Sequence, residues 1–201
     1  MARDRRSEIL DVAGEIFLEQ GYAAASMSAI AARLGGSKGT LYNYFTSKEE
    51  LFRAYVERQC ALSAETIFGG QTDCGDIAAL LTDLGTRYLT RLTSVEMMRH
   101  LRTVIAEAGR NPEVGALFFA SGPEQGRTRL AAIFERAAAE GRLDAPDPLR
   151  AADQFLALCQ ATLYKRRLFN VVEVPAPREI RADVEAAVAT FMAAYRSDGR
   201  A

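Results

Sequence analysis

Residues 35–50 carry the side chains best suited to a chemical task, and that task is to contact a polyanion. The segment reads Gly-Gly-Ser-Lys-Gly-Thr-Leu-Tyr-Asn-Tyr-Phe-Thr-Ser-Lys-Glu-Glu. It makes a poor helix in water, because Lys38 puts a positive charge in the first turn and Gly39 raises the entropic cost of folding. A phosphate beside the helix start would reverse both effects, since a lysine, free N–H groups and a glycine that allows close approach suit an anion. The segment is therefore interpreted as a helix that faces nucleic acid.

The distribution of charge supports this interpretation, although the total charge does not. The formal net charge is −1, with 26 acidic residues in 201. No Asp or Glu occurs from Gly21 to Ser47, whereas Arg33 and Lys38 lie inside that stretch. A surface that meets a polyanionic backbone has this composition. The alternative is an Ala-rich core segment that happens to lack acids.

Two predicted helices precede the segment and position it. Apolar residues at helical spacing predict a first helix from Arg3 to Gln20, with Gly21 as a left-handed cap. Ser26 is a good N-cap for a second helix, which extends to about Leu34. The basic residues of the first helix could touch DNA as an arm or lie on a solvated face, because acidic residues are interspersed among them; they are Arg3, Arg5 and Arg6.

The segment itself is predicted to form a turn, a short helix and the start of a long helix. The turn is Gly35-Gly36, and the short helix covers about residues 37–44. Leu41 and Phe45 are four apart and are expected to be its buried pair, which turns the polar and aromatic groups outward. Residues 47–50 form a capping box, in which the first and last side chains each accept from the other residue's backbone N–H.

The rest of the chain is predicted to be helical, with no strand pattern and no repeat. The fourth helix runs to about Phe68, long enough to leave a small N-terminal bundle and enter a second one. Later helices are predicted at residues 76–92, 94–108, 112–141 with a break at Gly122-Pro123, 149–164, and after Pro177.

Several functional classes are not expected. The three cysteines, Cys60, Cys74 and Cys159, are too few and too scattered for a disulfide framework and form no C-x-x-C pair, so we expect them to be reduced. The N-terminus has no apolar signal region, and no apolar run reaches the ~18 residues that a membrane span needs. We therefore expect a cytoplasmic protein without a metal or cofactor.

Enzymatic activity is also not expected. His100 is the only histidine, and the carboxylates at helical spacing from it are Glu96 and Glu107. This supplies no catalytic constellation. A buried core position or a place in a ligand pocket remains open for His100.

Over its first ~55 residues the chain resembles the DNA-binding domain of the TetR family of transcriptional regulators. The matching stretches are FLEQGY at 17–22, AIAARLG at 29–35, SKGTLYNYF at 37–45 and SKEELF at 47–52. The remainder resembles, less specifically, the AefR-like branch of that family. This second resemblance is carried by residues 104–108, Asn111-Pro112-Glu113, Phe118-Phe119 and Gly122-Pro123.

The resemblance implies an all-α homodimer that regulates transcription in response to a ligand, and we expect a repressor rather than an activator. Residues 1–48 would form a three-helix helix-turn-helix domain that binds a palindromic operator through the third helix. Residues 49–201 would form a helical bundle for dimerisation and for a small-molecule effector, of amphipathic or aromatic character, that releases the DNA. The alternative is a helical small-molecule-binding protein whose DNA binding is weak or vestigial.

The resemblance also implies the DNA contacts, which are Ser26, Ser28, Ser37, Lys38, Gly39, Thr40, Tyr42, Asn43, Tyr44 and Lys48. Three positions depart from the family pattern. Ala25 replaces a common hydroxyl residue, and Ser28 replaces a residue that is often charged. Gly36 replaces a frequent valine, which removes apolar burial of roughly 1–2 kcal/mol and is expected to loosen the angle between the second and third helices.

Two further sets of residues are predicted from the helical bundle. The ligand pocket is expected to use Tyr88, His100, Phe118, Phe119, Gln160 and Tyr164, each of which could instead be plain core. The dimer interface is expected to use part of two apolar helix faces, because a reader of a two-fold operator needs a two-fold interface. Those faces are Phe155, Leu156, Cys159, Leu163, Val184, Val188, Phe191 and Met192, and both could instead be intrachain core.

Overall fold

A computed structural model of the chain describes residues 5–70 and 75–197. These residues form the helices α1 Arg5–Ala24, α2 Met27–Arg33, α3 Lys38–Tyr42, α4 Lys48–Phe68, α5 Ile77–Thr93, α6 Val95–Ala108, α7 Pro112–Ser121, α8 Pro123–Ala139, α9 Pro148–Cys159, α10 Leu163–Leu168 and α11 Pro177–Tyr195. Within the described ranges there is no strand, and one isolated antiparallel bridge joins Leu143 to Arg196. The predicted all-α class is confirmed.

The described chain divides into two compact units. Unit 1 contains residues 5–62 and 99–122, and unit 2 contains residues 63–98 and 123–197. Helices α4 and α6 therefore each contribute residues to both units. The division differs from the predicted functional boundary between residues 48 and 49, and that boundary stays a prediction.

An aromatic cluster forms the core of unit 1. The Phe17 and Phe52 rings meet edge to face with centroids 4.9 Å apart, and the Tyr22 ring lies 4.6 Å from Phe52. Tyr55 continues the cluster on α4 and packs against Gly14 of α1. A Cβ at Gly14 would lie 2.4 Å from Tyr55 Cε2, so the glycine allows α1 and α4 to approach closely.

The first helix ends differently from the prediction. Gly21 does have a positive φ of 78°, but its ψ of 162° is outside the left-handed helical region. The chain resumes helical geometry beyond it and continues to Ala24. Ala25, which stands where a hydroxyl is frequent, is buried in the core of unit 1. A hydroxyl at this position would lie in the apolar core, so alanine suits the packing there better than serine or threonine.

Three phenylalanines in mutual contact lie in the core of unit 2. Phe134 of α8, Phe155 of α9 and Phe191 of α11 are each at most 1% exposed, with centroids 5.1–6.3 Å apart. Helix α5 reaches α11 through Gly85, where a Cβ would lie 2.8 Å from Val184 Cγ1. The core therefore depends on a glycine at residue 85.

The helix predicted at residues 149–164 is interrupted, and this prediction needs correction. Helix α9 ends at Cys159, and α10 begins at Leu163. The Gln160 N–H is shared between the carbonyls of Leu156 and Ala157, which tightens the last turn. The Leu163 N–H then donates to the Asp183 carboxylate at 3.3 Å instead of to a helical carbonyl. By contrast, the predicted break at Gly122-Pro123 is confirmed.

The described cysteines are free and buried, as expected for reduced thiols. Burial raises the pKa of the Cys60 thiol to about 11 and that of the Cys159 thiol to about 12. Cys74 lies outside the described residues. In the described ranges, no group of three or more metal-ligating side chains is gathered, and no helix is long and apolar enough to cross a bilayer.

Candidate nucleic-acid interface

Two serine caps and one left-handed glycine shape the helix-turn-helix. Ser26 Oγ accepts from the Ala29 N–H at 3.2 Å, and Ser37 Oγ accepts from the Thr40 N–H at 3.1 Å. Gly35 lies between the two helices with φ of 65°, a conformation that side chains with a Cβ rarely adopt. The predicted Ser26 cap is confirmed, Ser37 caps α3 in the same way, and the glycine turn sets the direction of α3.

Helix α3 is anchored by two buried side chains and turns its other side chains outward. Leu41 and Phe45 are 2% and 1% exposed, whereas Tyr42 and Tyr44 are 45% and 41% exposed. The predicted buried pair is therefore confirmed. Nine of the ten predicted DNA contacts are exposed and are here named the operator face: Ser26, Ser28, Ser37, Lys38, Gly39, Thr40, Tyr42, Asn43 and Tyr44.

The operator face combines the chemistry of phosphate contact with that of base reading. Lys38 supplies a cation, and serine and tyrosine hydroxyls can donate to phosphate oxygens. Asn43 can donate to and accept from one base edge at the same time, the pairing that adenine offers in the major groove. Helix α3 has the exposure that entry into a groove requires.

The tenth predicted contact, Lys48, is occupied inside the unit. Its ammonium donates to the carbonyl oxygens of Tyr22 at 2.9 Å and Ala25 at 3.1 Å. It also lies 4.4 Å from the centre of the Tyr22 ring, a favourable cation–π position. The side chain is half-buried and ties the start of α4 to the end of α1. A DNA phosphate that contacts Lys48 would therefore compete with the carbonyl oxygens that this ammonium already contacts.

The capping box at the start of α4 is half confirmed. Ser47 Oγ accepts from the Glu50 N–H at 3.1 Å, as predicted. The Glu50 carboxylate does not return to Ser47; it accepts from the N–H of Thr46 at 2.7 Å and from the Thr46 hydroxyl at 2.6 Å. These two bonds lower the pKa of the Glu50 carboxyl below its ordinary value. The Glu50 carboxylate thus holds Thr46, the residue that precedes the cap Ser47.

Comparison with known proteins shows which family this chain is similar to. Residues 9–55 match the family described as "Bacterial regulatory proteins, tetR family". Residues 79–197, more than half of the chain, match "AefR-like transcriptional repressor, C-terminal domain". The chain belongs to the TetR family. Its helix-turn-helix and its helical second part are those of this class of bacterial transcriptional regulator.

Relatives within the TetR family include proteins of known structure. The HTH-type transcriptional regulator UidR of Escherichia coli K12 is 36% identical over 120 residues, a match that spans 58% of each chain. The structure of the flavonoid-responsive regulator FrrA is 33% identical and covers 98% of this chain and 99% of its own, with a TM-score of 0.85. A TetR-family regulator from Mesorhizobium loti MAFF303099 is 26% identical, with 96% of both chains covered and a TM-score of 0.86.

The predicted effector-pocket residues of this TetR-family chain fall in both units. In unit 2, the Gln160 amide donates to the Tyr88 hydroxyl, and Tyr164 packs beside the same core. Burial raises the pKa of Tyr88 above its ordinary value, so its hydroxyl stays protonated. Having accepted from Gln160, this hydroxyl can still donate its own hydrogen.

The other three predicted pocket residues lie in unit 1. His100 is 6% exposed, and its Nδ1 is hydrogen-bonded to the Tyr55 hydroxyl, with the two rings 5.3 Å apart. Phe118 packs against the core of unit 1, whereas Phe119 is 58% exposed. Their contact with a ligand stays a prediction.

The residues predicted for the dimer face pack inside unit 2. Seven of its eight side chains are buried in the core of unit 2, at 0–8% exposure, and Leu156 packs against that core. A second chain could bury almost no further area there. This burial favours intrachain core, the alternative that the sequence left open, and a dimer contact at these residues stays a prediction. The apolar spacing predicts which side chains are buried, but it does not indicate whether the same chain or a second chain covers them.

The opposite side of α11 carries a surface that the sequence reasoning missed. Its exposed side chains include four alanines at offsets of zero, four, seven and eleven, namely Ala182, Ala186, Ala189 and Ala193. This is the spacing of a helix–helix seam, and small side chains allow two backbones to approach closely. The signal was present in the sequence but was masked by the larger apolar residues of the core stripe. We name this surface the alanine stripe.

Proposed function

We propose that this TetR-family chain binds a two-fold operator as a homodimer through the operator face and is released by a small-molecule effector. The observation that carries the proposal is the orientation of α3. Two buried anchors, Leu41 and Phe45, hold α3 and the turn after it, and the lysine, asparagine and tyrosine side chains of this segment face solvent. Repression follows in this proposal because an occupied operator excludes polymerase until the effector binds.

Specific DNA binding is tested with a duplex obtained by in vitro selection from random double-stranded DNA. The unchanged chain should bind the selected duplex at least a hundredfold more tightly than a scrambled one, as specific readers do. Tyr42→Ala should remove much of this ratio. Phe169→Ala, which truncates an aromatic side chain that is 78% exposed in unit 2, is the matched control and should leave the ratio unchanged. If Tyr42→Ala also leaves it unchanged, the assignment of the operator face fails.

Dimerisation is proposed to use the alanine stripe in place of the buried faces. A charged side chain in a close helix seam is desolvated without a partner, so Ala186→Glu should convert the dimer into a monomer. The control is Ala132→Glu, the same change at an exposed alanine of α8. Light scattering coupled to size exclusion gives the mass of each variant. Equal dimer content in both variants would move the interface elsewhere.

The effector is proposed to be a planar, partly apolar compound with hydroxyl or carbonyl groups. In unit 2, the Tyr88 hydroxyl accepts from Gln160 and keeps a hydrogen to donate, beside the aromatic ring of Tyr164. A full-length structural relative bears the name of a flavonoid-responsive regulator. Flavonoids combine planarity, apolar area and hydroxyl groups, so they are the first compounds to test.

Effector and operator must influence each other equally. A panel of hydroxylated flavonoids should raise the melting temperature, and each stabilising compound should weaken operator binding by the factor by which operator weakens its own binding. Tyr88→Phe should reduce compound affinity while leaving operator affinity in its absence unchanged. Stabilisation by a compound with no effect on DNA would instead favour the small-molecule-binding protein without regulatory DNA binding.

A further inference from the structure

Arg5, in the first turn of α1, lies against the glycine turn of the helix-turn-helix. A Cβ built on Gly36 would lie 3.4 Å from Arg5 Nη2, so the guanidinium stands beside the position that a side chain at residue 36 would occupy. A shallow surface depression with room for about one water molecule lies at this place. We name it the Gly36 notch; its lining is Arg5, Ile9, Ala31, Leu34, Gly36, Ser37, Thr40 and Leu41.

The polar lining of the notch consists of hydrogen-bond donors. Ser37 Oγ and Thr40 Oγ1 are 3.1 Å apart and share one hydroxyl hydrogen. Ser37 Oγ also accepts from the Thr40 N–H, so its acceptor capacity is partly used. The two hydroxyls carry two hydrogens, and their mutual bond uses one. One hydroxyl hydrogen therefore remains for an acceptor that enters the notch.

The charge of Arg5 is held by one exposed partner. Arg5 Nη1 forms an ion pair with Glu8 at 2.7 Å, and both side chains are more than a third exposed. Such pairs are weak and are screened by salt, so a phosphate can compete with the carboxylate. A guanidinium has five N–H donors, and this ion pair engages the Nη1 side while Nη2 faces Gly36.

The neighbouring Arg6 is used differently. Its guanidinium lies 5.1 Å from the centre of the Phe45 ring, over one of the two anchors of α3. The sequence placed Arg5 and Arg6 in one basic cluster, whereas the structure separates an arginine that lies over an aromatic ring from one that lines the Gly36 notch. The notch and the hydroxyl pair thus single out Arg5.

We propose that Arg5, together with the Ser37 and Thr40 hydroxyls, binds a phosphate of the DNA backbone in the Gly36 notch. The glycine keeps the notch open, and Glu8 holds the guanidinium until phosphate replaces the carboxylate. The site takes a phosphodiester of either operator or unrelated DNA, because it reads no base. This inference rests on the proposed DNA-binding function and adds a contact from α1 to the operator face.

The test is a salt titration of DNA binding by Arg5→Gln, with the selected duplex and its scrambled counterpart. Arg5→Gln should weaken both duplexes by the same factor, roughly three- to tenfold near 0.1 M salt, and lower the salt slope by about one contact. Arg150→Gln removes the same charge from an exposed ion pair of α9 and should change neither quantity. Glu8→Gln frees Arg5 and should tighten both duplexes.

A double-mutant cycle identifies the notch itself. Gly36→Val fills the notch and should weaken both duplexes about as much as Arg5→Gln, with no further loss when the two changes are combined. Gly36→Ala provides a smaller obstruction if the valine variant melts at a lower temperature, and should give a smaller loss of the same kind. Additive losses would show that Gly36 and Arg5 act separately and would overturn the site.

The outcomes separate this inference from the function on which it rests. If the unchanged chain binds no duplex, the proposed function and the notch both fail. If it binds the selected duplex but Arg5→Gln behaves like the unchanged chain, only the notch fails. A loss confined to the selected duplex would make Arg5 a base reader and would also overturn the phosphate assignment.

Discussion

The Lys48 ammonium lies 4.4 Å from the centre of the Tyr22 ring and donates to the Tyr22 carbonyl oxygen at 2.9 Å. The Tyr22 hydroxyl in turn donates to the Glu49 carboxylate at 3.1 Å. Burial, with Glu49 as a second cause, raises the pKa of Tyr22 to about 12. Two consecutive residues of α4 therefore hold both ends of one tyrosine at the end of α1. This fixes the frame from which α2 and α3 project.

Lys48→Met should lower the stability of the protein even without DNA. Methionine keeps the apolar stem but removes a cation–π contact and hydrogen bonds to carbonyls, a loss of roughly 1–2 kcal/mol. Thermal unfolding measures the loss. The control is Lys165→Met, at an exposed lysine of α10. An unchanged melting temperature in Lys48→Met would leave phosphate contact as the main role of this side chain.

Lys38→Ala should show the opposite behaviour, because Lys38 is exposed on the operator face. Its removal should leave the melting temperature unchanged or slightly higher, since it deletes a cation from the first turn of α3. Binding to every duplex should weaken, and the slope of affinity against salt should fall by about one contact. Fluorescence anisotropy over a salt series gives this slope, with Lys165→Ala as the control. An unchanged slope would remove Lys38 from the phosphate contacts.

The local features of the operator face could be predicted from sequence because each depends on residues within one turn. Ser26 and Ser37 are caps whose partners lie three residues ahead, and the spacing of Leu41 and Phe45 determines which side of α3 is buried. What the sequence reasoning missed depends on residues far apart in the chain. Lys48 of α4 donates to the carbonyl oxygen of Tyr22 in α1, and the residue spacing of neither helix predicts this hydrogen bond.

The same distinction explains the errors in the second half. The apolar stripe of α11 predicts that Val184 and Phe191 are buried, and they are; nothing in the stripe says whether the cover comes from the same chain. After the break that follows Cys159, Asp183 of another helix accepts from the Leu163 N–H at the start of α10. Helix propensity cannot predict a hydrogen bond between residues so far apart in the sequence.

Gly85→Ala should destabilise unit 2 although alanine is the better helix former. The new Cβ would lie 2.8 Å from Val184 Cγ1, and this overpacking should cost about 1–3 kcal/mol. Adding Val184→Ala to Gly85→Ala removes the obstructing methyl group, so the double variant should be more stable than the sum of the two single changes predicts. Denaturant unfolding of all four proteins measures this coupling.

The matched control for Gly85→Ala is Gly126→Ala in α8. A Cβ there would meet only Phe68 Cε2, at an ordinary 3.9 Å. This change should be neutral or should stabilise by up to about 1 kcal/mol, the difference in helix propensity. If both glycine variants were stabilised, close packing between α5 and α11 would not be the reason for a glycine at residue 85.

Glu50 should make the start of α4 sensitive to acid. Its carboxylate accepts two hydrogen bonds from Thr46, which lower its folded-state pKa, so the charged form is the one that favours folding. The stabilising contribution of this carboxylate is therefore fully present above its ordinary pKa near 4.5, and it is lost as the pH falls through the lower folded-state pKa.

The substitution Glu50→Gln removes this titration. The variant should be less stable than the unchanged chain above pH 5, and the difference should narrow as the pH falls toward 3. Urea unfolding across this range measures the narrowing, with exposed Glu135→Gln as the control; a constant difference would show that the Thr46 bonds are indifferent to the charge of residue 50.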